Sequence, residues 1–496
     1  MTLMPISCRV RCHRLALLAW ALLPLLGGPS SPLAAQDTIT LARALALAQD
    51  QGLKAQGARA SLEAARYRDQ AFGASYLPRL SLNGTLPQYN RTILPVLQPD
   101  GTTLFRSQNQ TDMALTATVE QRLPTGGDLF LSSGLSTFAV RSTESFRSWS
   151  STPVSLGLRQ TFFRPNVSAL DRRAQPLRAE LAERQYREAR EDIALETTNL
   201  FFDLYAARVA LDNATTNAAV NDTLFMLNKG RFELGKIGQD DLLQSELALL
   251  RARATRDGAR LSYERAQAAL GLALGLPAGA PIVVAIPPAI PDYAADTARA
   301  VAEALRNRAG ASEAALQAVQ ANRGVAEAKA STGFSATVQA SVGLNATAPD
   351  LDLVYHDLLE ARQVNVGVQL PLFQWGAGKS TVRAAEADRV EAASRSRAAL
   401  QQIAYDAHFA VLAVAQARSG LALAAKADTV AAKRFEVAYT RYVVGRIPVD
   451  NLYLAQSEKD QAITEYLQAL RSCWVAHYQL RRATLFDFDR QQVVPN

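Results

Sequence analysis

The chain has 496 residues, 48% of them hydrophobic but only 7% aromatic and 20% charged, with a formal charge of +7. This excludes wholesale disorder, a collagen-like fibre and a disulfide-stapled miniprotein, and a mean hydropathy of −0.04 argues against a polytopic helical membrane protein. The charge is too mild for a nucleic-acid partner, and no basic, aromatic-interleaved patch accompanies it. Much of the apolar share is alanine, which favours helices and close packing but fills cores poorly.

Residues 1–36 read as a secretory signal peptide, with Arg9, Arg11 and Arg14 before the apolar stretch Leu15 to Leu26 and a cleavage site at Leu33-Ala34-Ala35. Its loss lowers the charge to +4 (7 − 3) and leaves Cys473 as the one cysteine, so no intrachain disulfide is possible. No later segment is apolar without interruption over about eighteen residues, so no spanning helix is expected; strands would have to cross any membrane.

A first repeat is expected over 37–276. It opens with a helix at about 40–74, and alternating strands follow within about 78–163. A long polar loop (about 88–111), a tight turn at Pro124 to Gly127 and a second polar loop (about 141–151) divide these into four strands. Leu80 and Leu82 alternate with Ser81 and Asn83, and Met113, Leu115, Ala117 and Val119 alternate with polar neighbours. A very long helix (about 168–230), a glycine-containing tip turn (about 231–240) and a final helix (about 239–274) complete the repeat. Roughly sixty helical residues reach about 90 Å. A Pro-rich linker over 277–296 carries Ile282-Val283-Val284, a candidate short strand.

The second repeat, 297–486, has the same layout: a helix at about 297–330, two strands within about 334–372 around a loop at 346–362, a long helix (about 380–440), a tip turn (about 441–450) and a last helix (about 449–484). Residues 487–496 read as a C-terminal tail. The duplication rests on one offset. Arg231, Gly235, Ile237, Asp240 and Leu242 return as Arg441, Gly445, Ile447, Asp450 and Leu452 (441 − 231 = 210), and Val154 and Gly157 return as Val364 and Gly367 (364 − 154 = 210). The seven-residue pattern Ile193, Leu200, Ala207 returns as Ile403, Ala410, Ala417, implying a left-handed supercoil. The strand pattern fits a barrel wall between lipid and water and equally an ordinary half-buried sheet. Six strands are too few to close a pore alone, since about eight is the minimum.

No catalytic chemistry is supported. His356, His408 and His477 lack metal-ligand spacing, and Met113 and Met226 are too few for a soft-metal path. Trp375-Gly376-Ala377-Gly378-Lys379-Ser380 imitates a phosphate loop, but Phe373 stands where the first glycine is needed. No cofactor is expected.

These residues resemble the TolC-like outer-membrane efflux protein family. The carriers are the duplicated Arg-aromatic-x-x-Gly turn, Pro371-Leu372-Phe373 followed by Gly376, and Thr40-Leu41 with Ala44-Leu45. The resemblance implies a mainly α fold with a transmembrane β-barrel part, in which three subunits join in one conduit through the outer membrane and the periplasm. It also implies a passive exit duct for efflux or type I secretion, whose tips meet a periplasmic adaptor coupled to an inner-membrane pump of RND or ABC type. Carried over by position, Arg231, Phe232, Gly235, Arg441, Tyr442 and Gly445 are the expected adaptor contacts, and Asp240, Asp241, Asp450 and Asn451 the expected aperture residues. Tyr442 is expected to bond Asp240 or Asp241. Ile447 and Asn451 depart from a best-known member, which has arginine and aspartate there. The strand pair around Thr125-Gly126-Gly127 exceeds the two strands per half that the family minimally uses; a trimer has eighteen strands (3 × 6) if the pair joins the wall and twelve if it does not. The alternative is a periplasmic or surface coiled-coil scaffold with a soluble sheet.

Overall fold

The computed structural model describes residues 38–141, 145–285 and 290–495; the signal-peptide segment lies outside them, as do parts of the second polar loop and of the linker. The first repeat comprises α1 (Leu41–Gln51), α2 (Leu53–Ala74), β1 (Arg79–Leu97), β2 (Thr103–Arg122), β3 (Asp128–Arg141), β4 (Phe146–Phe162), α3 (Val167–Glu233) and α4 (Gln239–Ala273). The second comprises α5 (Thr297–Asn307), α6 (Ala309–Ser331), β5 (Ser335–Ala348), β6 (Leu359–Gln369), α7 (Ala377–Val443) and α8 (Val449–Thr484). The expected single helix opening each repeat is interrupted, at Gly52 and at Arg308, where the backbone turns extended (ψ 141° and 145°).

Six strands form one antiparallel sheet in chain order, β1 to β6. Its register puts the apolar residues of the strands on one face. The paired row Leu80, Val119, Leu131, Leu156 and Val342 crosses five strands, and Leu129, Leu158, Ala340 and Val364 form the row beside it. The opposite face carries the row Ser81, Thr118, Ser132, Ser155 and Gly343. The expected long loop over 88–111 is instead strand: β1 and β2 pair out to Leu97 and Thr103, beyond the end of β3. Polar residues on both faces gave that stretch the composition of a loop. At the other end of the sheet, Asn166 ties the tight turn to α3: its Nδ2 donates to the Pro124 carbonyl (2.6 Å) while its Oδ1 accepts from the Ala169 amide (3.0 Å), capping the helix.

The long helices α3 and α7 have 67 residues each, so each reaches about 100 Å. Each packs along its own hairpin partner, α4 or α8, and α3 also packs against α8. The four therefore lie in the order α7–α8–α3–α4. The main apolar core joins α1 (Leu41, Ala44, Ala48), α3 (Ile193, Phe201, Phe202, Leu204), the end of α4 (Leu270, Leu274), the linker (Ile282, Val284) and α8 (Trp474, Tyr478). The linker strand appears as a single parallel bridge, Ile39 to Val284. The last residues are no loose tail: β7 (Phe486–Asp487) pairs with β8 (Gln492–Val493), and Phe486 and Phe488 pack on Val411, Val414 and Leu480.

Contrary to expectation, α7 is long and apolar enough by length and composition to cross a membrane. Its exposed apolar residues Tyr405, Phe409 and Leu412, then Leu423, Val430 and Val437, follow helix-seam spacing, and its polar residues interrupt any unbroken apolar run.

His477 sits inside this assembly, 5% exposed. Burial, and then Arg481, hold its imidazole down at about 4; Arg418 adds to the effect and Asp487 opposes it. The Tyr293 hydroxyl, itself pushed up to about 12 by burial, shares a hydrogen bond with Nδ1 at 2.9 Å. The unfolded chain thus binds the extra proton first, so this site's stability is full above pH 6.5 and falls as pH drops through 4. Glu191, raised by burial, works in the opposite direction. Urea denaturation should therefore show the wild type losing about 2 kcal/mol more than His477→Gln between pH 7 and pH 5; parallel losses would contradict a depressed His477.

Candidate functional site

The two hairpin tips are built alike. In the first, the Gly235 amide donates to the Phe232 carbonyl and the Lys236 amide to the Arg231 carbonyl, both at 2.8 Å. In the second, Gly445 donates to Tyr442 (2.9 Å) and Arg446 to Arg441 (2.8 Å). This is the Schellman closure, which needs a left-handed residue after the helix; Gly235 (φ 66°) and Gly445 (φ 74°) supply it without Cβ strain. The following helices open with acids in the first turn, Asp240 and Asp241 on α4 and Asp450 on α8, where the helix dipole favours them. Asp241 Oδ2 also accepts from the Gly238 amide (3.4 Å).

Polar contacts bind the two hairpins to each other. The Tyr442 hydroxyl donates to Asn228 Oδ1 (2.9 Å), with Tyr442 4% and Asn228 1% exposed. Arg231 Nη2 donates to the Val443 carbonyl (3.2 Å), and its guanidinium lies 5.4 Å from the Tyr442 ring centroid. Gln244 Nε2 donates to Asp450 Oδ1 (2.7 Å), linking α4 to α8. Farther up, both Asp460 oxygens are taken, by Asn213 Nδ2 (2.6 Å) and Asn217 Nδ2 (2.7 Å). Arg471 then bonds Asn199 (2.9 Å) and pairs with Asp203 (2.7 Å). Beneath the first latch, Leu224, Ala438, Val449, Leu452 and Ala455 make a small apolar cluster, with Ile447 against it.

Residues 128–276 match the sequence profile of a family described as Outer membrane efflux protein. Solved structures of the same fold include the Campylobacter jejuni CmeC outer membrane channel (TM-score 0.64, 16% identity, covering 92% of this chain and 87% of that one). They also include the outer membrane protein VceC of Vibrio cholerae (0.63, 16%, 90% and 95%) and the open state of the Neisseria gonorrhoeae MtrE outer membrane channel (0.58, 16%, 90% and 88%). The chain has the outer-membrane efflux protein fold. The family resemblance is met by the profile over 128–276 and by the fold over most of the chain. No curated protein matches the chain in sequence.

Within this efflux-protein fold the expected tip residues divide. Phe232, Gly235, Arg441 and Gly445 are exposed, and the Arg441 side chain has no hydrogen bond or ion pair among the described residues. Tyr442 differs: it is buried, and it bonds Asn228 on α3 instead of Asp240 or Asp241. Its place in the last turn of α7 points it sideways into the neighbouring hairpin. Asp240 and Asn451 are exposed, while Asp241 serves its own helix start and Asp450 holds Gln244. The phosphate-loop look-alike opens α7, with Gly376 at φ 84°. The Gln374 side chain fills the space over Gly378, leaving no anion cradle. Among the described residues no cluster could hold a metal ion.

The latching asparagines were not singled out from the sequence. Their signal was the stripe Asn213, Asn217, Asn221 and Asn228 on one side of α3, where the second repeat has Leu423, Ala427, Ala431 and Ala438 at the same offset of 210 (423 − 213). A double-mutant cycle with Asn228→Ala and Tyr442→Phe should give a coupling of about 0.5–3 kcal/mol, read as hydrogen-exchange opening of the tip segments. Additive effects would break the assigned latch.

Proposed function

We propose that three copies of this chain form an outer-membrane exit duct, a passive channel whose helical part crosses the periplasm. The observation that carries this reading is the apolar face running across the sheet, backed by a face of serines and threonines: lipid on one side, water on the other. A soluble sheet would turn its apolar face onto a core, yet Leu80 (71% exposed), Leu82 (66%) and Val364 (73%) lie open among the described residues. The helical layer supports the same assembly. Of its two outer helices, α7 bears the stripe just described and α4 the exposed leucines Leu243, Leu247, Leu250 and Leu261. The α7 edge of one copy matches the α4 edge of the next. Aromatic residues sit where the barrel meets the helices, with the exposed Phe163 ring 5.0 Å from Phe334 and Phe373 4.3 Å from the exposed Trp375, the girdle expected at a membrane interface.

The duct is shut or opened at the tips. The latches between the hairpins of one subunit hold the closed form, and a periplasmic adaptor, coupled to an inner-membrane pump of RND or ABC type, shifts the equilibrium by binding the exposed Arg441 and Phe232 surface. Asp240, Asp241, Asp450 and Asn451 stand around the aperture as its polar lining. Purified in detergent, the protein should be trimeric and conduct ions in a planar bilayer; a detergent-free soluble monomer without conductance would favour the scaffold alternative. Removing the latch in the Asn228→Ala, Tyr442→Phe double variant should raise single-channel conductance severalfold, and unchanged conductance would remove the latch from gating. Arg441→Glu should weaken adaptor capture and leave the trimer intact. Arg231→Glu is the less clean probe, because Arg231 already holds the Val443 carbonyl.

A further inference from the structure

The repeats do not keep one offset throughout. Before and into the sheet it is 256, both for the helix breaks at Gly52 and Arg308 (308 − 52) and for the first residues of β1 and β5, Arg79 and Ser335 (335 − 79). At the tips it is 210, from Gly235 to Gly445 (445 − 235). The first repeat therefore holds 46 extra residues (256 − 210) between β1 and β4, which is the place of the β2–β3 hairpin. An added hairpin could hang from the end of a sheet. This one does not: β2 and β3 lie between β1 and β4, hydrogen-bonded on both sides. Val119 and Leu131 continue the apolar row, and Thr118 and Ser132 the polar one.

Among the described residues β1 and β6 are left with free edges. Both carry the two-faced pattern to the rim, Leu80 and Leu82 on β1 and Val364, Val366 and Val368 on β6. Strands spaced about 4.8 Å apart and tilted about 40° each occupy about 6.3 Å of barrel circumference. Eighteen strands (3 × 6) give about 113 Å, whereas a wall without the inserted pairs would give only about 75 Å.

We propose that the inserted β2–β3 hairpin is a wall element that widens the outer-membrane barrel. Three copies close an eighteen-stranded barrel in which β6 of each pairs with β1 of the next, about half as wide again as a twelve-stranded wall of the same tilt. The inference rests on the trimeric-duct reading and deepens it.

Electron microscopy of the full-length trimer in lipid nanodiscs tests it. Eighteen strands with a β6–β1 seam between copies are expected. A trimer with twelve strands and β2–β3 outside the wall overturns this inference alone, while a protein that is not a trimer overturns the duct reading as well. Cysteine labelling of the intact protein gives a second readout. At Thr116 and Ser132 a membrane-impermeant maleimide should react, and at Leu115 and Leu131 the lipid should shield the thiol. Equal labelling at all four positions would contradict a wall position. Joining β1 directly to β4 should cut the diameter of the largest polyethylene glycol entering from the barrel side by about a third; an unchanged cut-off in a folded trimer would likewise overturn the inference.

Discussion

A backbone amide or carbonyl facing hydrocarbon has no water to bond, and leaving it unpaired costs several kcal/mol. The open sheet of this chain ends on both sides in such groups, along β1 and β6. In the proposed duct a single copy therefore cannot rest in lipid; it is a stave whose edges must meet those of other copies. The helical layer obeys the same logic in different chemistry, since the unpartnered leucines of α4 and the aromatic and aliphatic stripe of α7 lie on its two outer helices. Few bulky residues are needed in such a molecule. The proposed tube wall, one helix thick, has no deep interior, so alanine serves its close contacts, and large side chains concentrate at the one place where several elements meet.

That place is the junction of α1, the end of α4, the linker and α8 around Phe201 and Phe202, both 2% exposed or less. Its close packing leaves no room for side chains at the joint: a Cβ on Gly52 would stand 2.8 Å from the Ala273 carbonyl oxygen. Toward the tips the apolar content thins to a small cluster around Leu224 and Leu452, and amides and carboxylates take over. Local opening is drawn from regions with few buried apolar contacts, so the gradient in packing leaves the tips as the segments that separate most easily while the middle stays fixed.

Much of this was legible in the sequence, for definite reasons. Alternation along β2, β5 and β6 survives as a two-faced sheet because one residue of slip would exchange the faces. The tip glycines were legible because the turn demands a left-handed residue twice. The far halves of β1 and β2 were not, since Gln88, Asn90, Asn109 and Gln110 put polar side chains on both faces, and only pairing between the strands makes them extended. The breaks at Gly52 and Arg308 escaped because the helical pattern continues on either side. Tyr442 was placed against the wrong partner because its sequence neighbourhood suggests the acids at the start of α4; which helix lies beside α7 is decided by packing.

Duplication gave α3 and α7 the same length and the same tip, yet their flanks have diverged. At matching positions Asn213 meets Asp460 within the subunit, whereas Leu423 is 74% exposed at its edge. Around the proposed trimer two kinds of seam then alternate: polar between α3 and α8 of one copy, apolar between α7 of one copy and α4 of the next. The two respond differently to water. An apolar seam loses its free energy when opened, while amides and carboxylates exchange their partners for water at a net cost of about 1 kcal/mol per bond. Separation at the tips should accordingly begin inside each subunit, along the asparagine stripe, with the contacts between copies holding the ring together. The closed end of the proposed tube would thereby yield without dissolving the assembly, through a handful of positions where one repeat kept asparagine and the other leucine or alanine.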